Sequence, residues 1–143
     1  MQAQDVRTIY ASGTAYALTN SSAALDFGTT DPSLTLTQPG TWLIFARASL
    51  AYAAATFASS RTVTLKLRRT NNTAGDLTNA SISVPTRVTS TVTDTFGPVM
   101  IPPVLYTTSN IDDAITIYAD VSVAPSAGAF NATNAEIIAL RLF

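Results

Sequence analysis

Residues 41–53 are apolar on both faces when they are read as a β-strand, in which successive side chains point to opposite sides. One face carries Trp42, Ile44, Ala46, Ala48, Leu50 and Tyr52, and the other carries Leu43, Phe45, Arg47, Ser49 and Ala51. Such a strand lies between two layers and not at a solvated surface. The turn signal Gln38-Pro39-Gly40 directly before it marks where it begins.

Shorter period-two segments fill most of the remaining chain and are separated by turn residues. They are residues 14–18, 23–27, 34–37, 62–70, 77–84, 87–94, 114–123 and 135–143. Within them Val63, Leu65 and Leu67 are expected inward, as are Ile115, Ile117, Ala119, Val121 and Val123. The double proline Pro102-Pro103 cannot lie inside a ladder, so residues 96–106 are predicted to be an edge or bulged segment.

The pattern contains no long amphipathic helix and predicts an all-β fold. Its strand number and longer loops favour a jelly-roll β-sandwich of 8–10 short antiparallel strands. Residues 125–134 are predicted to be a loop, while residues 52–60 either extend the strand before them or form a helical turn.

At 143 residues the chain is predicted to form a single domain over 14–143, preceded by an extended N-terminal arm over 1–13. The arm is predicted to lie on a partner through a set of polar and apolar side chains. These are Gln4, Asp5, Val6, Arg7, Ile9 and Tyr10. Because the first residues lack the basic-then-apolar run of a signal peptide, synthesis in a cytoplasm without signal-directed export is expected.

Charged residues make up 12% of the chain, about half the usual ~25%. Solubility depends on surface charge, so we expect part of the surface to be covered by other copies. The alternative is a low-charge sandwich that stays monomeric.

The terminal segment 135–143 gives the same indication, because it is apolar on both faces. One face is expected in the core, and the other against a second copy or beneath loops of the same chain. The predicted trimer-interface residues are Ile138, Leu140, Leu142 and Phe143.

Several chemistries are excluded or disfavoured by composition. A net charge of −1 argues against nucleic acid, and no segment is long enough for a membrane helix. The absence of His and Cys removes the usual triads and soft metal ligands. Asp112-Asp113 as a Ca²⁺ site, and Asp26 with Asp31 or Asp120 with Glu136 as glycosidase pairs, are weak candidates. We therefore expect no enzyme activity and no cofactor.

The basic residues allow two interpretations. Arg61, Lys66, Arg68 and Arg69 either contact an acidic partner surface or form a solvated strand face, and the second is favoured. Arg141 either pairs with Glu136 or with a symmetry mate, or is simply exposed.

Residues 36–45, with Pro39, Gly40 and Trp42 at the strand opening, resemble the tumour-necrosis-factor-like jelly roll shared with complement globular heads. Residues 63–71, which end in a basic-Asn turn, and the apolar segment 137–143 extend that resemblance. It implies a homotrimer with the last strand at the three-fold axis. Short Ala/Thr-rich chains without Cys or His are also similar to bacteriophage virion proteins. The double proline and the lack of a stalk depart from these patterns.

These observations together predict a homotrimeric capsid decoration (cement) or head-fibre protein of a bacteriophage. It would clamp neighbouring subunits of the major capsid protein and would be located in the virion. Two alternatives remain: a fibre tip that binds host surface glycan, and a bacterial non-catalytic ligand-binding module. The fibre tip predicts aromatics grouped at one end, with Tyr10, Tyr16, Tyr106, Tyr118 and Phe130 as candidates.

Overall fold

The computed structural model describes residues 5–56, 59–70, 75–85, 94–123 and 127–143. Within these ranges the chain forms nine β-strands and no helix. The strands are β1 (Val6–Ala17), β2 (Ala23–Ala24), β3 (Ser33–Leu36), β4 (Gly40–Thr56), β5 (Arg61–Arg69), β6 (Asp76–Val84), β7 (Asp94–Thr108), β8 (Asp113–Val121) and β9 (Ala127–Arg141).

The strands form two antiparallel sheets. Sheet I has the order β1-β9-β4-β7, and sheet II has the order β2-β8-β5-β6, with β3 also paired to β8. Except for β5 and β6, neighbours in each sheet are not consecutive in sequence, as in winding of the jelly-roll type. The predicted all-β jelly-roll sandwich is therefore confirmed, although the strands of sheet I, at 12 to 17 residues, are not short.

The core lies between the sheets and consists of the inward residues of both. Trp42, Ile44 and Leu50 from β4 are at most 1% exposed, and they face Leu65 and Leu67 of β5 and Ile115 and Ile117 of β8. Tyr52 packs edge-on against Phe130, with ring centroids 4.8 Å apart. The inward assignments for β5 and β8 are confirmed, except that Val123 lies beyond β8 and is 52% exposed. For β4 one face is buried in the core, but the other is not covered by a second layer of this chain.

The prediction of an N-terminal arm is wrong over residues 6–13, because these residues form most of β1. Val6 to Ser12 pair with β9 in continuous register, from Val6 opposite Leu140 to Ser12 opposite Asn134. The alternation was hidden because both faces are mixed: Arg7, Ile9 and Ala11 point one way, and Val6, Thr8 and Tyr10 the other. The predicted strand over 14–18 is largely the end of this same β1.

The loop predicted for 125–134 is also wrong, because β9 begins at Ala127. Small residues such as Ala132 and Ala135 pack against β4 there, where a sequence pattern shows little hydrophobicity. β4 in turn continues to Thr56 and does not form a helical turn after Tyr52. The strand predicted over 87–94 lies outside the described residues except for Asp94, which begins β7.

The prediction for the double proline is confirmed, since β7 is the edge strand of sheet I and is bulged there. Ile44 pairs with Val104, whereas Ala46 pairs with Ile101, so Phe45 alone lies opposite both Pro102 and Pro103. A proline has no N–H to donate, so the ladder is interrupted at this point.

Candidate functional site

The outward side of sheet I is the candidate site, and we call it the outer face. Side chains of directly opposed residues in antiparallel strands lie on the same face. The register therefore gives three rows across the strands. The first row is Val6, Leu140, Leu43 and Leu105; the second is Thr8, Ile138 and Phe45; the third is Tyr10, Glu136, Arg47 and Met100.

Large apolar side chains are solvent-exposed at both edges of the outer face. Exposure is 58% for Val6 and 55% for Tyr10 on β1, and 57% for Met100 and 63% for Leu105 on β7. Ile138 and Leu140 on the central strand β9 are half-buried by these neighbours. A contiguous apolar surface of this width is typical of an interaction site.

The middle of the outer face holds an open concavity of about 450 Å³. Its lining residues are Phe45, Ala46, Arg47, Met100, Glu136 and Ile138. The concavity lies beside the proline bulge, because Phe45 lines it and lies opposite Pro102 and Pro103.

One ion pair lies in this apolar setting. Arg47 Nε donates to Glu136 Oε2 at 2.7 Å, and the side chains are 45% and 21% exposed. The proposed pairing of Arg141 with Glu136 is therefore wrong. Arg141 is instead the last residue of β9 and donates from Nε to the carbonyl of Pro39 at 3.0 Å.

Of the predicted interface residues, Ile138 and Leu140 lie on the outer face, whereas Leu142 and Phe143 follow the end of β9. Ile138 and Leu140 are at the centre of the outer face, Leu142 is half-buried, and Phe143 is 78% exposed. Sequence reasoning missed the contributions of Leu43, Met100 and Leu105. The outward positions of β4 carried a signal for Leu43, but the edge position of Leu105 required the register of β7.

The residues predicted for the arm lie in different environments and do not form one partner-binding surface. Val6 and Tyr10 belong to the outer face, whereas Ile9 packs against the core. Arg7 pairs with Asp5 and donates to Thr37 Oγ1 at 2.7 Å, so both charges are used within the chain. Gln4 lies outside the described residues.

The second polar cluster is buried and joins the two sheets. Asp113 on β8 is 5% exposed and accepts from Tyr106 Oη at 2.5 Å, Thr108 Oγ1 at 2.9 Å and Arg69 Nε at 3.2 Å. Burial raises the pKa of Asp113, but these three donors outweigh it and hold the pKa below its ordinary value. Burial, and then the Asp113 carboxylate, raise the pKa of Tyr106.

This cluster changes the interpretation of Asp112-Asp113. The Asp113 carboxylate already accepts three protein donors, and Asp112 occupies the turn before β8 with φ of 58°. Over the described ranges, no group of three or more acidic residues is close enough to hold a metal ion.

The basic cluster of β5 is largely paired within the chain. Lys66 contacts Asp120 at 2.7 Å, Arg68 pairs with Asp76 and lies 5.0 Å from the Tyr118 ring centroid, and Arg69 binds Asp113. Arg61 donates to the Ser59 carbonyl at 3.0 Å. The strand-face interpretation fits this arrangement better than a patch reserved for an acidic partner.

The carboxylate pairs considered for glycoside hydrolysis are not supported by this arrangement. Asp120 lies on the outward side of sheet II with Lys66, while Glu136 lies on the outer face of sheet I with Arg47. Asp26 accepts the Gly28 backbone N–H at 2.7 Å, as in a turn.

The aromatics suggested for a glycan site are dispersed. Tyr10 lies on the outer face, Tyr106 at the Asp113 cluster, Tyr118 beneath Arg68, and Phe130 in the core at 1% exposure. Tyr16 is partly buried against the core. In the part of the chain that the structure describes, no helix is long and apolar enough to cross a bilayer.

The two sheets and their strand order define an antiparallel β-sandwich of the jelly-roll type. No protein-family model matches the sequence, and no curated protein matches it.

Solved structures are similar to this chain at low sequence identity. Dimeric latent PorU from Porphyromonas gingivalis is 10% identical with a TM-score of 0.54, covering 96% of this chain and 13% of PorU. The globular domain of zebrafish complement 1qA is 11% identical with a TM-score of 0.48, covering 99% and 98%. The infectious bursal disease virus Gx strain structure is 13% identical with a TM-score of 0.48, covering 96% and 33%. The chain thus spans only a small part of PorU and a third of the viral chain.

Proposed function

We propose that this chain is a non-catalytic structural protein of a bacteriophage particle, a homotrimeric capsid decoration or head-fibre protein that clamps neighbouring capsid subunits. The observation that carries the assembly is the outer face, which is apolar across all four strands of sheet I and solvent-exposed at both edges. No cofactor takes part.

The outer face fits a second copy better than a charged partner. Its described side chains include one Arg and one Glu, so its net charge is zero and it can match another copy of itself. Burying each of its large apolar side chains contributes about 1.5–3 kcal/mol before the costs of association. Several such side chains from each copy are sufficient for a stable interface.

The virion role is supported by the low charge, the absence of Cys and His, and the resemblance of the strand opening at Pro39, Gly40 and Trp42. Because β1 belongs to sheet I, the capsid contacts are assigned to the rest of the surface and not to an N-terminal arm. Three copies of a weak footprint on one trimer would act together through avidity.

The first test is the mass of the purified protein by sedimentation equilibrium and native mass spectrometry. A trimer is expected at micromolar concentration. A stable monomer would overturn both the proposed trimer and the virion role that depends on it.

The second test is co-sedimentation with phage capsids that lack the protein, compared with binding to whole host cells. Capsid binding without cell binding is the expected result. A trimer that binds cells but not capsids would replace the decoration role with receptor recognition.

A further inference from the structure

The Arg47–Glu136 pair has bonding capacity that the chain itself does not use. The bond within the chain joins Arg47 Nε to Glu136 Oε2. Among the described residues, the two terminal nitrogens of Arg47 and Oε1 of Glu136 have no hydrogen-bond partner. These atoms lie on the outer face, where Arg47 is 45% exposed.

The surroundings of the pair are apolar. Tyr10 and Met100 flank the pair in the third row of the outer face, and Phe45 and Ile138 lie in the second row beside it. Together with the concavity beside Phe45, they form a surface that loses water when another surface covers it. Charges interact more strongly as water is excluded, so the remaining donors and acceptor gain importance on assembly.

We propose that Arg47 and Glu136 also bind the same two residues of neighbouring copies, and that they determine which chains can assemble together. This inference rests on the proposed trimer. A second copy is the partner because a positive and a negative group side by side are matched by the same arrangement in another copy. A strongly acidic or basic partner would leave one of the two charges repelled.

Arg47 and Glu136 are therefore specificity-determining residues. The apolar rows provide attraction to any similar apolar surface, whereas this pair penalises a chain with a different charge arrangement. Like charges that meet in an interface disfavour the wrong partner strongly.

The test is a charge-swapped double variant, Arg47→Glu with Glu136→Arg, which keeps an ion pair within each copy. Swapped and unchanged proteins of distinguishable mass are mixed, and subunit exchange is followed by native mass spectrometry. Each protein is expected to form trimers alone, with mixed trimers at least about tenfold below the statistical proportion. Free mixing would overturn the inference while leaving the trimer proposal intact.

A matched control is available on the opposite sheet, where Lys66 and Asp120 form an ion pair of the same 2.7 Å length. The swap Lys66→Asp with Asp120→Lys should mix with the unchanged protein in the statistical proportion. If this control variant also fails to form mixed trimers with the unchanged protein, then charge swapping impairs mixed assembly in general, and the inference is overturned.

The single variants Arg47→Glu and Glu136→Arg test the same contact by gain of assembly. Each brings like charges together and should trimerise poorly alone. A mixed trimer replaces two of its three like-charge interfaces with opposite-charge ones, so a mixture should assemble more readily than either variant alone. Circular dichroism of each variant verifies that it is folded. A mixture of folded variants that fails to co-assemble, while the unchanged protein trimerises, contradicts the inference. If the unchanged protein is itself monomeric, the proposed function fails first.

Discussion

Asp113 is the one charged residue in the described part of the chain that is buried, at 5% exposure. Its partners lie on both sheets: Tyr106 and Thr108 on β7 of sheet I, and Arg69 on β5 of sheet II. A buried carboxylate with three donors is satisfied, but removal of its charge leaves those donors without an adequate acceptor.

We expect Asp113→Asn to lower the free energy of unfolding at neutral pH by about 2–4 kcal/mol. The folded-state pKa of Asp113 is depressed, so its contribution is present above the unfolded pKa of about 4 and is lost as pH falls through the folded pKa. Urea unfolding of both proteins as a function of pH should show the difference shrinking in acid.

The control for this change is Asp120→Asn, which removes a carboxylate from a partly exposed pair with Lys66. Its cost should be about 1 kcal/mol or less. Equal losses for the two variants, or a difference at Asp113 that persists unchanged in strong acid, would refute the role assigned to the buried cluster.

Gly40 is the position where a side chain would do most harm to the strand opening. Its φ is 138°, and a Cβ there would lie 2.5 Å from the Phe143 carbonyl oxygen and 2.9 Å from Arg141 Nε. Gly40→Ala is expected to lower the thermal midpoint, with a cost of about 1–3 kcal/mol. Gly75→Ala is the matched control because nothing lies within 4 Å of its added Cβ, and calorimetry should find it nearly neutral.

At the scale of the elements, β1 and β9 depend on each other. β1 forms one edge of sheet I and pairs with β9 from Val6 opposite Leu140 onward. Ala11 at 0% exposure and the partly buried Ile9 also contribute to the core. Removal of β1 therefore leaves the backbone N–H and C=O groups on one edge of β9 without partners, and it also exposes apolar core surface.

Deletion of residues 1–13 is accordingly expected to unfold the chain or to make it aggregate, because most of β1 is lost. Far-ultraviolet circular dichroism and thermal unfolding measure this. The outward substitution Thr8→Ala is the control and should behave as the unchanged protein. A truncated chain with an unaltered melting temperature would show that β1 is a dispensable arm after all.

The sequence predicts an element well where one face is apolar and the other polar. β5 and β8 are of this kind, and their inward residues were found without error except at Val123. β1 and the first half of β9 were missed because small or mixed residues, such as Ala132 and Arg7, face the interior or its margin. Their strand state depends on pairing with distant partners, which no local pattern contains.

At the scale of the whole molecule, the outer face combines residues from four strands that are far apart in sequence. The pattern of the terminal strand predicted that Ile138 and Leu140 lie in an interface, because a strand that is apolar on both faces needs both faces to be buried. Met100, Leu105 and the Arg47–Glu136 pair followed only from the register of β4 with β7 and β9. A sequence cannot give the position of one strand against another when a bulge such as Pro102-Pro103 intervenes.

Leu140→Lys tests the assembly directly. Burying an unpaired ammonium group costs several kcal/mol, so the proposed trimer should dissociate at least about 100-fold more readily. Sedimentation equilibrium measures the change, while circular dichroism verifies that the monomer is folded. The control Thr62→Lys adds the same charge to an exposed position of sheet II and should leave the trimer intact. Equal behaviour of the two variants would mean that sheet I does not form the interface.

The position of β9 between β1 and β4 has a consequence for biosynthesis. β9 leaves the ribosome after every other described strand, yet it is the only described pairing partner of β1 and one of the two partners of β4. Sheet I thus cannot be completed before β9 is synthesised, and β1 lacks its pairing partner until then. Nascent chains should therefore depend on holding chaperones, and premature termination within β9 should yield insoluble product rather than a smaller folded protein.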